Sequence, residues 1–186
     1  EICACLVGSE MCIRDRQECV ALLPLLNGLP LSHIILHPRL GKQQYKGEVD
    51  LDGFEAFYNS CNKPLFYNGD IHTVEDIETV TARFPKLAGI VIGRGLLANP
   101  ALAEEYRQGY SLSADERAKK IKQLHAEVFG TYQEQLQGGD LQLLMKMKSF
   151  WEYLLPEGDR KAKKAIHKAT KLSNYEVAVN SLFGNL

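Results

Sequence analysis

Short apolar runs alternate with amphipathic stretches through the first half of the chain, and only amphipathic stretches remain in the second. His33–His37 (HIILH), Pro64–Tyr67 and Gly89–Ile92 (GIVI) are brief and nearly all apolar. That is the pattern of parallel strands covered on both faces. Between them the period becomes helical. Phe54, Phe57, Tyr58 and Cys61 fall at i, i+3, i+4 and i+7, and Val74, Ile77, Val80 and Phe84 line a second helix. Asp52 with Glu55, and Thr73 with Asp76, place a capping-box pattern at the two helix starts. Residues 17–27 (QECVALLPLLN) read as a helix ended by Asn27-Gly28, with Pro24 costing it a hydrogen bond. Another helix starts near Asn99-Pro100, where proline suits a first-turn position. The predicted order is α-β-α-β-α-β-α. Strand starts near 33, 64 and 89 give steps of 31 and 25 residues, the size of β/α units.

From about residue 110 no strand pattern remains. Ser113 with Glu116 opens a helix running to about Gln135, and Gly138-Gly139 breaks it. Leu141–Leu155 is a second helix, ended by Pro156 and Gly158; Arg160–Leu172 is a third and Asn174–Phe183 a fourth. Together they predict a helical bundle. Residues 1–16 show neither period. Their string CLVGSEMCIRDR resembles a translated adapter sequence, so this stretch is read as a non-native or disordered segment. The predicted organisation is therefore 1–16, an α/β part over 17–109 and a helical part over 110–186.

Composition narrows the class. Hydrophobic residues are 45% and charged residues 24% of 186, ordinary for a globular protein. No run reaches the roughly 18 apolar residues of a membrane span. The opening EICACLVG lacks the basic residues of a secretory leader. The five cysteines are odd in number and form no C-x-x-C pair, which disfavours a disulfide scaffold or a zinc site and fits a reducing cytoplasm. Charge is uneven. Residues 1–109 hold 10 basic and 14 acidic side chains, a balance of −4, and residues 110–186 hold 12 and 9, a balance of +3. Such a split hints at two parts with different partners.

Two strings sit where strands end: Asn68-Gly69-Asp70 and Gly93-Arg94-Gly95. Either alone is a common turn. Glycine lets the backbone turn sharply and aim N–H groups at an anion, and arginine adds a two-pronged donor. At the ends of successive parallel strands, the pair points to a phosphate grip of the kind found after strands seven and eight of a β/α barrel. His37 ends the first strand on the same side, either satisfied within its own loop or facing a ligand. Arg39, Lys42, Gln43 and Lys46 follow in a polar loop that suits solvent or a ribose or phosphate contact. In the tail, Arg160, Lys164, Lys168 and Lys171 fall at i, i+4, i+8 and i+11, with Ala162, Ala165, Ile166 and Ala169 facing the other way. The stripe suits a phosphate backbone or a solvated face; Lys146 and Lys148 extend it. Trp151 reads as core rather than a base-stacking platform.

The strings HPRLGKQQYKGEVDLD, PLFYNGDI and GIVIGRGLLANPAL resemble the second half of the tRNA-dihydrouridine synthases. That family shows a His-x-Arg strand end, a Gln-x-Tyr-x-Gly loop, Asn-Gly-Asp, and Gly-Arg-Gly leading to Asn-Pro. Here these are His37 and Arg39; Gln43, Tyr45 and Gly47; Asn68 to Asp70; Gly93 to Gly95; and Asn99-Pro100. The resemblance is close over 17–109 and loose over the tail. It implies the last three strands of a (β/α)8 barrel, FMN as cofactor, NADPH as reductant and tRNA uridine as substrate. It further implies that Asn68, Gly69, Asp70, Gly93 and Arg94 hold the FMN phosphate and that His37 meets the flavin ring. Arg39, Arg160, Lys164, Lys168 and Lys171 become candidates for RNA contact. A target base must leave its stack to reach a flavin.

Departures from the family pattern matter too. The family's catalytic cysteine lies well upstream of the His-x-Arg strand, and none of the five cysteines matches it; no lysine precedes Lys42 where a flavin-binding lysine is expected. The resulting expectation is a C-terminal fragment that lacks the catalytic acid, is inactive alone and exposes sheet edges. The rival readings are another FMN barrel of the dihydroorotate-dehydrogenase type, or a non-catalytic RNA-binding protein.

Overall fold

The computed structural model describes residues 20–39, 47–156 and 158–184. The suspect opening, the first residues of the 17–27 helix, and Lys42, Gln43, Tyr45 and Lys46 lie outside the described residues. Contacts divide the chain into two compact units, 1–93 and 94–186, upstream of the boundary expected near 109.

The first unit opens with α1 (Leu23–Gly28), where Pro24 occupies the first turn. The missing N–H of proline has no helical partner there, so the cost expected of an interior proline does not arise. Three short strands follow: β1 (Ile34–Leu36), β2 (Leu65–Asn68) and β3 (Gly89–Val91). They form one parallel sheet in the order β1-β2-β3. Leu36 is paired with Tyr67, and Asn68 with Val91, so the carboxyl ends of the three strands lie side by side. The crossovers are α2 (Leu51–Ser60) and α3 (Val74–Arg83).

Aromatic packing joins these layers. Phe54 of α2 meets Tyr67 of β2 edge-on at 5.0 Å and Phe84, just after α3, at 4.9 Å. All three are buried, with Phe57, Leu65, Ile77 and Val80 beside them in the apolar interior of the sequence pattern. Thr73 and Asp76 form the predicted capping box of α3. The start of α2 differs from expectation. Asp50, not Asp52, is the cap and accepts from the Gly53 N–H at 2.9 Å. Asp52 and Glu55 instead accept from the Arg83 guanidinium of α3 at 2.8 and 2.6 Å. Cys61 lies at the C-cap of α2, half-buried rather than in the core.

In the second unit α4 (Arg94–Ala98) is a short helix that the sequence pattern did not predict. α5 (Leu102–Gln108) ends at Gly109, whose φ of 70° is the left-handed conformation in which glycine avoids a Cβ clash. α6 (Ala114–Gln135) carries the predicted Ser113–Glu116 capping box and ends where expected. α7 (Gly139–Phe150) stops short of Leu155, and α8 (Arg160–Lys168) short of Leu172; α9 runs Leu172–Gly184. Their core is built around Met147, Trp151, Ile166, Tyr175 and Leu182, each fully buried. No helix among the described residues is long and apolar enough to cross a membrane.

Candidate phosphate-binding strand ends and a basic helix

The first candidate site begins with chain direction. Because the three strands are parallel and in register, the residues that follow them leave the sheet from one edge. His37 follows β1, Gly69 and Asp70 follow β2, and Gly93 lies just beyond β3. The sequence reading of strand ends is met in this respect. Asn68 is the last residue of β2 and is paired with Val91. Gly93 closes the first unit, and Arg94 is the first residue of α4.

The turn after β2 is tight. A Cβ built on Gly69 would lie 3.0 Å from the Tyr67 hydroxyl and 3.1 Å from Val49 Cγ1, closer than side chains ordinarily pack. Asp70 next to it has φ of 34°, in the left-handed region that aspartate visits more readily than most residues. At Gly93 a Cβ would meet nothing within 4 Å, so no packing reason requires glycine there.

Arg39 was expected on the surface with the RNA contacts, and it is only 7% exposed. Its Nη2 donates to the Gly47 carbonyl at 2.7 Å and pairs with the Asp70 carboxylate. An arginine wedged between two loops is a brace rather than an exposed hook. Burial, and next the Asp70 carboxylate, push the Tyr67 phenol up to about 12, so Tyr67 stays a neutral hydroxyl beneath the turn.

The second candidate site is α8. Asp159 caps it, accepting from the Lys161 N–H at 2.7 Å, which fixes where its faces point. Ala162, Ile166 and Ala169 are buried, while Arg160, Lys164, Lys168 and Lys171 are exposed as predicted. Lys161 and His167 also lie on the exposed side; Ala165, expected inside, is exposed with them. Lys163 is set apart from the stripe, its amine donating to the carbonyls of Leu154 and Leu155. Trp151 is fully buried, as expected, and its indole N–H donates to the Tyr175 hydroxyl at 2.8 Å.

One buried charge escaped the sequence reading. Glu105 of α5 is 2% exposed and accepts from Asn99 Nδ2, the Leu112 N–H and Arg117 Nη2 at 2.9, 3.1 and 3.0 Å. Burial raises its pKa, but these three bonds outweigh burial and hold the carboxyl below its ordinary value. Asn99 also accepts from the Ala101 N–H, so it closes the turn before α5. The only signal in the sequence was the Asn-Pro pair itself. No group of three or more acidic, histidine or cysteine side chains among the described residues is arranged to hold a metal.

The family model described as dihydrouridine synthase (Dus) matches residues 7–180. A human tRNA-dihydrouridine(20a/20b) synthase NAD(P)+-like protein is 29% identical over 94 residues, covering 50% of this chain and 29% of that protein. The tRNA-dihydrouridine synthase B of Vibrio parahaemolyticus is 28% identical over 91 residues, covering 49% and 28%. A mouse relative named like the human one is 30% identical over 78 residues, covering 42% and 24%. The matched segments span less than a third of each relative.

Proposed function

Because the chain belongs to the dihydrouridine synthase family, we propose that it carries the phosphate-gripping part of an FMN-dependent tRNA-dihydrouridine synthase. In this reading β1, β2 and β3 are strands of a (β/α)8 barrel, and the helices from about 110 onward form its tRNA-binding part. The observation that carries it is the single edge from which His37, Asn68–Asp70 and Gly93 emerge. Phosphate sites on such barrels are built from neighbouring strand ends in the same way.

The residues present suit a phosphorylated flavin. Gly69 and Gly93 allow close backbone approach, Arg94 adds a charged donor, and the acid at Asp70 is countered by Arg39. Asn68, Gly69, Asp70 through its backbone N–H, Gly93 and Arg94 would hold the phosphate, and His37 would meet the ring. FMN, reduced by NADPH, would supply the hydride, and the neighbouring ring carbon would take its proton from an acid that none of the five cysteines here matches. The exposed cations of α8 would bind the tRNA backbone and present the uridine. A dihydroorotate-dehydrogenase-type barrel would share the grip but not the family match or the basic tail.

Fluorescence titration with FMN, alongside filter binding of tRNA between 50 and 200 mM salt, tests the reading. Expected are saturable FMN binding and a logarithmic salt slope of roughly −3 for four phosphate contacts. Retained tRNA binding without FMN binding would instead favour a non-catalytic RNA-binding protein.

A further inference from the structure

A phosphate grip that contains an aspartate poses an electrostatic problem. Asp70 directly follows Gly69 in the turn assigned above to the phosphate, and a carboxylate there would repel the dianion. The structure holds the remedy. Arg39 leaves β1 one residue after His37 and Pro38, is buried, and pairs with the Asp70 carboxylate. Its Nη2 also donates to the carbonyl of Gly47, so one guanidinium ties the exit of β1 to the exit of β2 and to the residue where the intervening loop returns. The Asp50 N–H donates to the Pro38 carbonyl at 2.8 Å and fastens the same return from the other side. Asp70 is held in a left-handed backbone conformation, which a side chain anchored in one place helps to maintain.

We infer that Arg39 is a positioning residue for the cofactor phosphate: it neutralises Asp70 and fixes the Asn68–Asp70 turn, and it does not contact RNA. The inference rests on the FMN reading. The Tyr67 phenol registers both charges, Asp70 raising its pKa and Arg39 lowering it, so the pair acts directly on the floor of the turn. Arginine suits the task because the two in-plane N–H groups of one Nη2 are fixed in direction and reach the Gly47 carbonyl and the Asp70 carboxylate at once, whereas a lysine ammonium is a freely turning point charge.

The test compares FMN with riboflavin, which has the same ring and no phosphate. Arg39→Gln should weaken FMN binding by about 10- to 100-fold and leave riboflavin binding nearly unchanged. Arg39→Lys should recover part of the loss. Adding Asp70→Asn to Arg39→Gln should restore most of the FMN affinity, since the repelling charge is gone. If Arg39→Gln does not fold, Asp70→Asn alone decides. It leaves the Arg39 charge unopposed and should hold or raise the preference for FMN over riboflavin; a fall would overturn the proposal. Equal loss of both ligands, or FMN binding untouched by Arg39→Gln, would also overturn it. So would loss of tRNA affinity with FMN affinity intact, which would make Arg39 an RNA contact. If the unaltered chain binds no FMN, the cofactor reading fails and this inference with it. If it binds FMN and only the variants disobey, this inference fails alone.

Discussion

Two glycines at neighbouring strand ends make opposite predictions for stability, because one is crowded by its neighbours and the other faces open space. At Gly69 an added methyl meets the Tyr67 hydroxyl at 3.0 Å and Val49 at 3.1 Å. Both neighbours must yield, so Gly69→Ala should cost about 1–2 kcal/mol of stability in a denaturant titration and weaken FMN binding as well. At Gly93 the methyl meets nothing within 4 Å. Gly93→Ala should therefore leave the denaturation midpoint unchanged and still lower FMN affinity; unchanged affinity would remove Gly93 from the site. The placement of both glycines after strand ends was legible in the sequence, but the difference between them was not, since it depends on which side chains lie above each turn. The same limit governs Asp50 and Asp52. Both can cap a helix, and the choice is settled by Arg83, which takes Asp52 and Glu55 from a distant part of the chain. Arg39 was misplaced for a related reason: a loop arginine reads as solvated until its partners Gly47 and Asp70 are known to converge on it.

Helices and their joints show how far local signals reach. The Thr73–Asp76 and Ser113–Glu116 boxes were readable because each is closed within four residues. The five-residue α4 was not, being too short to show a period. The joint between α5 and α6 depends on Glu105, whose bonds to Asn99, the Leu112 backbone and Arg117 link both helices to the turn before them. Glu105→Gln leaves Arg117 facing an uncharged partner in a buried setting and should cost about 2–4 kcal/mol. Because the folded-state pKa of Glu105 is depressed, its stabilisation is present above the ordinary carboxylate range and is lost as pH falls through the folded value. Urea titrations near pH 7 and pH 3 should show the difference between the chain and the variant shrinking at the lower pH. α8 invites a different measurement. Its apolar side is small and engaged in the core, and Lys164 and Lys168 on the helix and Lys171 just beyond it are exposed, so the three can be changed to alanine together without loss of fold. The triple variant should bind tRNA more weakly with a salt slope reduced by roughly 2 to 3; an unchanged slope would assign those cations to solvent.

The second compact unit carries a reporter of its own, so its stability can be followed by itself. Trp151 is the sole tryptophan in the chain and is fully buried in the second unit. Its indole N–H donates to the Tyr175 hydroxyl, and that hydroxyl lies 2.7 Å from His125 Nε2. The Tyr175 hydroxyl accepts from the indole, and its own proton has Nε2 within reach in the neutral ring whose proton sits on Nδ1. Burial lowers the His125 pKa to about 4 from the ordinary 6.5, and it raises the Tyr175 phenol to about 12. The sign follows directly. Between those His125 values the unfolded chain binds a proton that the folded unit refuses, so stability falls as pH drops through that window and is fully present above it. The loss should approach 2–3 kcal/mol by pH 4, less than a full 2.5-unit shift because the ring is only half-buried. Urea titrations followed by Trp151 fluorescence should show midpoints that are flat above about pH 7 and decline below 6.5. His125→Gln retains an acceptor for the Tyr175 hydroxyl and has no proton to gain, so its acid decline should be shallower than that of the unaltered chain. An equally steep decline in the variant would place the acid sensitivity in the carboxylates, with Glu105 the first to examine.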